Sequence, residues 1–73
     1  MAEYVLTNEE KSSIIDSHLR TLAYSKYNLQ VNLMEELAAE TPSSDAIASV
    51  NSQISSVNSK IEALVSELSS LSE

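Results

Sequence analysis

One long stretch, from Ile47 to Leu71, carries aliphatic side chains at intervals that alternate strictly between three and four residues. The members of this heptad seam are Ile47, Val50, Ile54, Val57, Ile61, Leu64, Leu68 and Leu71. Because these intervals average close to one helical turn, the pattern places all of them along one side of a helix. The heptad seam therefore predicts a long α-helix that must pack against another helix.

A second long helix is predicted upstream, and its start is marked by Thr7-Asn8-Glu9-Glu10. This is the pattern of a capping box, in which the Thr7 hydroxyl and the Glu10 carboxylate each accept from the other residue's backbone N–H. Apolar residues then form two stripes about 120° apart around the helix axis. The first stripe, which includes one lysine, consists of Ile15, Leu19, Leu22, Lys26, Leu29, Leu33 and Leu37. The second, the tyrosine stripe, consists of Tyr27, Val31, Met34 and Ala38.

The two helical patterns are separated by Thr41-Pro42-Ser43-Ser44. Pro42 disfavours helical geometry at the residue before it and lacks a backbone donor, whereas Thr41 or Ser43 can cap the next helix. A short connection between helices of similar length makes them antiparallel neighbours. We therefore predict an all-α antiparallel helical hairpin of the coiled-coil type. Its parts are a lead-in at 1–6, a first helix at 7–40, a turn at 41–44 and a second helix at 45–72, together one domain.

With 73 residues and no cysteine, the chain lacks both a large core and disulfide bridges. Two helices bury little apolar surface, and the tyrosine stripe has no partner inside a hairpin. We therefore expect a homo-oligomeric helical bundle, either a dimer of hairpins or a three-fold assembly. Its interface is predicted to use the tyrosine stripe together with the heptad seam. Tyr4, Val5 and Leu6 either pack against the first helix or reach a neighbouring subunit.

Lys26 interrupts the otherwise apolar first stripe. Its aliphatic stem can cover apolar surface while the ammonium group reaches water or a carboxylate. Alternatively, a polar group at a core position penalises wrong alignments and thereby fixes the register of the helices.

The chain is acidic, with 4 Lys and Arg against 11 Asp and Glu and a formal net charge of −7. Since neutralisation of phosphates holds proteins on nucleic acids and anionic membranes, neither is an expected partner. No apolar run is long enough to span a bilayer, and the start of the sequence does not resemble a signal peptide. We expect a location in the cytoplasm or in a virion assembled there.

Few residues suit catalysis or metal binding. His18 is the single histidine, and with no cysteine it cannot form a structural zinc site. Ser17 is expected on a different side of the helix from His18, and Glu35, Glu36 and Glu40 form a solvated acidic end. Without glycine the chain has no phosphate-binding glycine loop. The sequence predicts no enzyme activity and no cofactor.

Four segments resemble small helical-hairpin proteins of unassigned role that are encoded by tailed phages of marine bacteria. They are Thr7-Asn8-Glu9-Glu10-Lys11, Tyr24-Ser25-Lys26-Tyr27-Asn28-Leu29-Gln30, Thr41-Pro42-Ser43-Ser44 and the Ser/Asn-rich heptads that follow. The resemblance implies a virus-encoded accessory or structural protein. We expect a small oligomeric structural or assembly protein that acts through helix–helix contacts. The alternatives are a regulatory adaptor that binds a helix of another protein and, less favoured, a subunit that lends helices to a larger active site.

Overall fold

Two α-helices pack against each other in the structure, a computed structural model that describes residues 5–72. α1 spans Asn8–Leu37 and contains 30 residues, and α2 spans Ser44–Leu71 and contains 28. No strand occurs within the described residues. The predicted all-α helical hairpin is confirmed. Tyr4, part of the predicted lead-in, lies outside the described residues.

The start of α1 is fixed by the capping box predicted from Thr7 and Glu10. The Glu10 backbone N–H donates to the Thr7 hydroxyl oxygen at 3.1 Å, and the Thr7 backbone N–H donates to a Glu10 carboxylate oxygen at 3.0 Å. Two backbone donors that the helix leaves free are thereby satisfied. Glu9 and Glu10 also place negative charge in the first turn, where the helix dipole favours it.

Residues 38–43 connect the helices. α1 ends at Leu37, earlier than the predicted boundary at residue 40, and α2 begins at Ser44 rather than 45. The connection is held by side chains of its neighbours: the Ser43 backbone N–H donates to a Glu36 carboxylate oxygen at 2.8 Å, and the Ser43 hydroxyl accepts from the Ala46 N–H at 3.2 Å. Between residues 5 and 72 no backbone adopts a positive φ, so the reversal needs no glycine.

Hydrogen bonds at both ends of the hairpin define how the helices are aligned. The Asn8 side-chain amide donates to the Leu71 carbonyl at 3.3 Å, and Glu36 accepts from Ser43 at the other end. In both pairs the two residue numbers add to 79, so the alignment is the same along the whole hairpin. It places three aliphatic pairs level with each other, Ile15 with Leu64, Leu22 with Val57 and Leu29 with Val50, and it brings Leu19 and Ile61, and Leu33 and Ile47, to within one residue of level.

The hairpin is thin and elongated. Its principal extents are 61 × 22 × 16 Å, and its radius of gyration is 17.2 Å, compared with about 11 Å for a compact chain of this length. None of the residues in 5–72 is fully buried. The contact between the helices is a single strip of half-buried side chains, so the fold has a seam rather than a core.

Candidate interaction surface

The heptad seam forms the contact surface of α2 with α1. All eight of its residues, which the sequence placed in the interface, are half-buried. The α1 residues aligned with seven of them are half-buried as well, including Lys26 and Ser12, whereas Asn8, aligned with Leu71, is exposed. The heptad seam is thus engaged within one chain, and it leaves only part of each side chain exposed for contact with another copy.

The tyrosine stripe lies on α1 outside this contact. Tyr27 is 63% exposed and Met34 is 57% exposed, while Val31 between them is half-buried. Ala38 is exposed at the C-cap of α1. Large apolar side chains at this level of exposure, adjacent along one face, mark a surface suited to helix–helix contact.

Tyr24 extends the tyrosine stripe by one position and was missed by the sequence analysis. Its side chain is 78% exposed, and it precedes Tyr27 by three residues. With Tyr24 included, the apolar positions alternate by three and four from residue 24 to residue 38, which is a second heptad seam on α1. The spacing alone could have revealed Tyr24. This extended stripe is about 21 Å long at the rise of an α-helix.

Leu37 does not occupy the place that the sequence gave it at the end of the first stripe. It is 58% exposed, whereas its neighbour Glu36 is half-buried and bonds to the Ser43 backbone. Because α1 ends at Leu37, the last position facing α2 is taken by the residue that holds the connection. Leu37 instead adds exposed apolar surface near Met34 and Ala38.

Charged side chains are distributed unevenly along the part of α1 that carries the extended stripe. Arg20 lies before its start, Glu35 lies near its end and Glu40 lies just beyond α1, whereas Lys26 lies in the contact with α2 and Glu36 bonds to Ser43. Within residues 5–72 the one salt bridge joins Arg20 to Asp16 at 3.4 Å, with both side chains largely exposed. An exposed pair of this kind contributes little to stability. Arg20 is the exposed cation at one end of the extended stripe, and the carboxylates of Glu35 and Glu40 lie at the other end.

The lead-in contacts the open end of the hairpin through Leu6. Leu6 is half-buried and lines a cleft of about 340 Å³ with Ile14, Ile15 and Leu71, while Val5 is 78% exposed. The expectation that this segment packs on the first helix therefore holds for Leu6. Val5 projects into solvent, and a contact of Val5 with a neighbouring subunit stays a prediction.

Ser17 and His18 line the same cleft, although the helical pattern placed them on different sides of α1. Both line one cleft of about 480 Å³ between the helices, where Thr21 and Lys60 also contribute. His18 is exposed. Among the hydrogen bonds of residues 5–72, none joins the Ser17 hydroxyl to His18; the Ser17 carbonyl accepts from the Thr21 hydroxyl at 3.3 Å. Serine and imidazole share a cleft without the bond that would activate a nucleophile.

Metal-binding and membrane-spanning features are also not seen in the described part of the chain. Residues 5–72 contain no cluster of three or more His, Asp or Glu side chains that could hold a metal ion. Neither α1 nor α2 combines the length and apolar character needed to cross a bilayer. Among the described residues, the extended stripe on α1 is the surface best suited to bind a partner.

Comparison with known protein families, with curated proteins and with solved structures finds no match to this chain.

Proposed function

We propose that this chain is a small homo-oligomeric structural or assembly protein that acts through helix–helix contacts made by α1. The observation that carries the proposal is the extended tyrosine stripe, Tyr24, Tyr27, Val31, Met34 and Ala38. It has the spacing of a coiled-coil seam, yet α2 packs on another side of α1. A helix that carries two seams and has one partner in its own chain is suited to a second helix from outside.

The surface area of the hairpin supports association. The chain exposes 5746 Å² with a mass of 8.0 kDa. A compact monomer of that mass would expose about 4,450 Å², so the hairpin carries roughly 1,300 Å² more. A standard interface takes about 800 Å² from each partner, and the excess is large enough to supply it. Because the stripe itself is short, we expect self-association on the order of micromolar affinity.

The biological role of the chain is inferred from this surface, from its charge and from its resemblance to phage hairpin proteins. Neither an active site nor a nucleic-acid partner is part of the proposal, since the chain is acidic and the surface that carries the proposal is a row of exposed apolar side chains on α1. The resemblance to hairpin proteins of marine tailed phages supports a virus-encoded accessory or structural protein. We therefore propose that it works in the cytoplasm or in the virion, as a helical element that joins copies of itself.

The proposal is tested by placing charge in the stripe. Changing Tyr27→Asp and Val31→Asp together should convert an oligomer into single 8.0 kDa chains, because two carboxylates from each chain would have to be desolvated at the contact. The measurement is sedimentation equilibrium of the native chain and the variant. Ser55→Asp with Ser59→Asp is the matched control, since it adds the same charges at the same spacing on the exposed side of α2 and should leave the mass unchanged.

An oligomeric mass that survives the double substitution in the tyrosine stripe would contradict the proposed interface. A native chain that stays a single copy at every concentration, but binds another protein through Tyr27 and Val31, would indicate the regulatory adaptor instead.

A further inference from the structure

We propose that the partner seated on the tyrosine stripe is a second copy of this chain that runs antiparallel to the first, with a two-fold axis beside Val31. This inference rests on the proposed homo-oligomer and specifies its geometry. In a two-fold contact each copy presents the same surface to the other. The residue on the axis therefore faces the same residue of the second copy, and each residue on one side of the axis contacts a residue from the other side. The extended stripe, from Tyr24 to Ala38, has five positions. Val31 is the third of them, so the stripe can meet itself along its full length.

The side-chain sizes fit this orientation. With Val31 on the axis, Tyr24 of one copy lies opposite Ala38 of the other, which leaves room for the large ring. Tyr27 lies beside Met34, a pairing in which a thioether sulfur can contact an aromatic ring. A parallel contact would instead place Tyr24 against Tyr24 and Ala38 against Ala38, which crowds one end of the seam and leaves the other poorly packed.

The charges favour the same orientation. In the antiparallel contact, Arg20 of one copy lies over the end of the other copy that carries Glu35 and Glu40. A parallel contact would bring the carboxylates of both copies to one end. Each chain has a formal net charge of −7, so two copies repel each other and the arrangement that sets cations against carboxylates is preferred.

The structure also indicates where α2 lies in this assembly. The heptad seam is the only apolar stripe of α2 and already faces α1, whereas its outer side consists mainly of exposed serines such as Ser52, Ser55 and Ser59. Since the two stripes of α1 are about 120° apart, α2 and the second copy occupy different sides of it. The two α1 helices therefore form the centre, with an α2 on the outside of each.

Cysteine cross-linking tests the orientation cleanly, because the chain has no cysteine of its own. A disulfide requires two Cβ atoms about 3.5–4.5 Å apart. Val31→Cys should therefore form a disulfide-linked dimer. A mixture of Tyr24→Cys and Ala38→Cys chains should form the mixed disulfide, identified by mass. Ala38→Cys alone should not cross-link, because the two copies of residue 38 would be about 21 Å apart along the axis.

Ser55→Cys, on the exposed side of α2, is the control for random collision. Thiols held in a complex react at a high effective concentration, so Val31→Cys should cross-link at least about tenfold faster than this control.

Efficient cross-linking of Ala38→Cys with itself would overturn the antiparallel arrangement and leave the homo-oligomer intact. Cross-linking of Val31→Cys no faster than the control, in a protein that still sediments as an oligomer, would place the contact elsewhere. If the native chain sediments only as a single copy, the proposed homo-oligomeric function itself is rejected.

Discussion

Lys26 is the residue at which the contact between the two helices departs from an apolar seam. It is half-buried, and the alignment of the hairpin places it within one residue of Ile54, between aliphatic pairs on either side. A lysine stem can cover Ile54, but the ammonium group must reach solvent, and that weakens packing in the middle of the hairpin. Such a residue is retained either for packing by its stem or because it fixes the alignment of the helices.

Replacing Lys26 with leucine should stabilise the hairpin. A leucine at this position would complete the apolar seam and raise the free energy of unfolding by about 1 kcal/mol, as measured by urea denaturation. Lys60→Leu is the matched control, because Lys60 is exposed and the same substitution there should change stability by less than about 0.5 kcal/mol. A Lys26→Leu variant that is no more stable than the native chain would contradict this account of the seam.

The same variant separates the two roles of Lys26. If Lys26 fixes the alignment, the leucine variant should populate more than one oligomeric mass, since an uninterrupted seam can shift by a heptad. A more stable variant with one mass would contradict a role in alignment and leave Lys26 as a packing residue.

At this scale the sequence predicted the features that depend on nearby residues. The capping box needs only Thr7 and Glu10, three residues apart, and both of its hydrogen bonds are formed. The exposure of Leu37 could not be predicted in the same way, because it depends on where α1 ends. The shared cleft of Ser17 and His18 depends on how α2 lies beside them, which helical spacing alone does not give.

α2 is the element that depends most on its partner. Its exposed sides are rich in serine, a mediocre helix former, and its large apolar residues lie in the heptad seam except for Val65, which is 50% exposed. Most of the stability of such a helix comes from packing rather than from intrinsic propensity. α1 has in addition a complete capping box and a more varied surface.

A peptide of residues 44–72 should therefore be largely unfolded in water at low micromolar concentration, as judged by far-UV circular dichroism. Adding a peptide of residues 7–43 should restore helical signal, because the first stripe of α1 supplies the missing partner of the heptad seam. Strong helicity of the isolated peptide as a single chain would contradict the dependence of α2 on α1.

The boundaries between the helices show why elements are predicted better than their ends. Pro42 and the candidate cap Ser43 located the reversal of the chain correctly, and Ser43 does cap α2. A bond from the Ser43 N–H to the Glu36 carboxylate joins residues on opposite sides of the connection, and α1 ends at Leu37, one residue after Glu36. Helical propensity does not report a contact between residues seven apart, and the end of α1 was predicted three residues too late.

At the scale of the whole molecule, the hairpin was predictable because one seam and one proline suffice to specify it. The partner of the tyrosine stripe could not be predicted in the same way, since it is not part of the same chain. The periodicity from Tyr24 to Ala38 indicates that α1 can pack against two other helices. The exposure of Tyr27 and Met34 shows that only one of these two faces is covered within a single chain. The central claim is therefore that folding and association are coupled.

The measurement that tests this claim most directly is the urea denaturation midpoint of the native chain as a function of protein concentration. If two chains unfold and separate together, each tenfold rise in concentration should add about 1.4 kcal/mol of stability per dimer, and the midpoint should rise accordingly. A cooperative transition with the same midpoint from low micromolar to near-millimolar concentration would show that the single hairpin is stable alone, and would contradict the account.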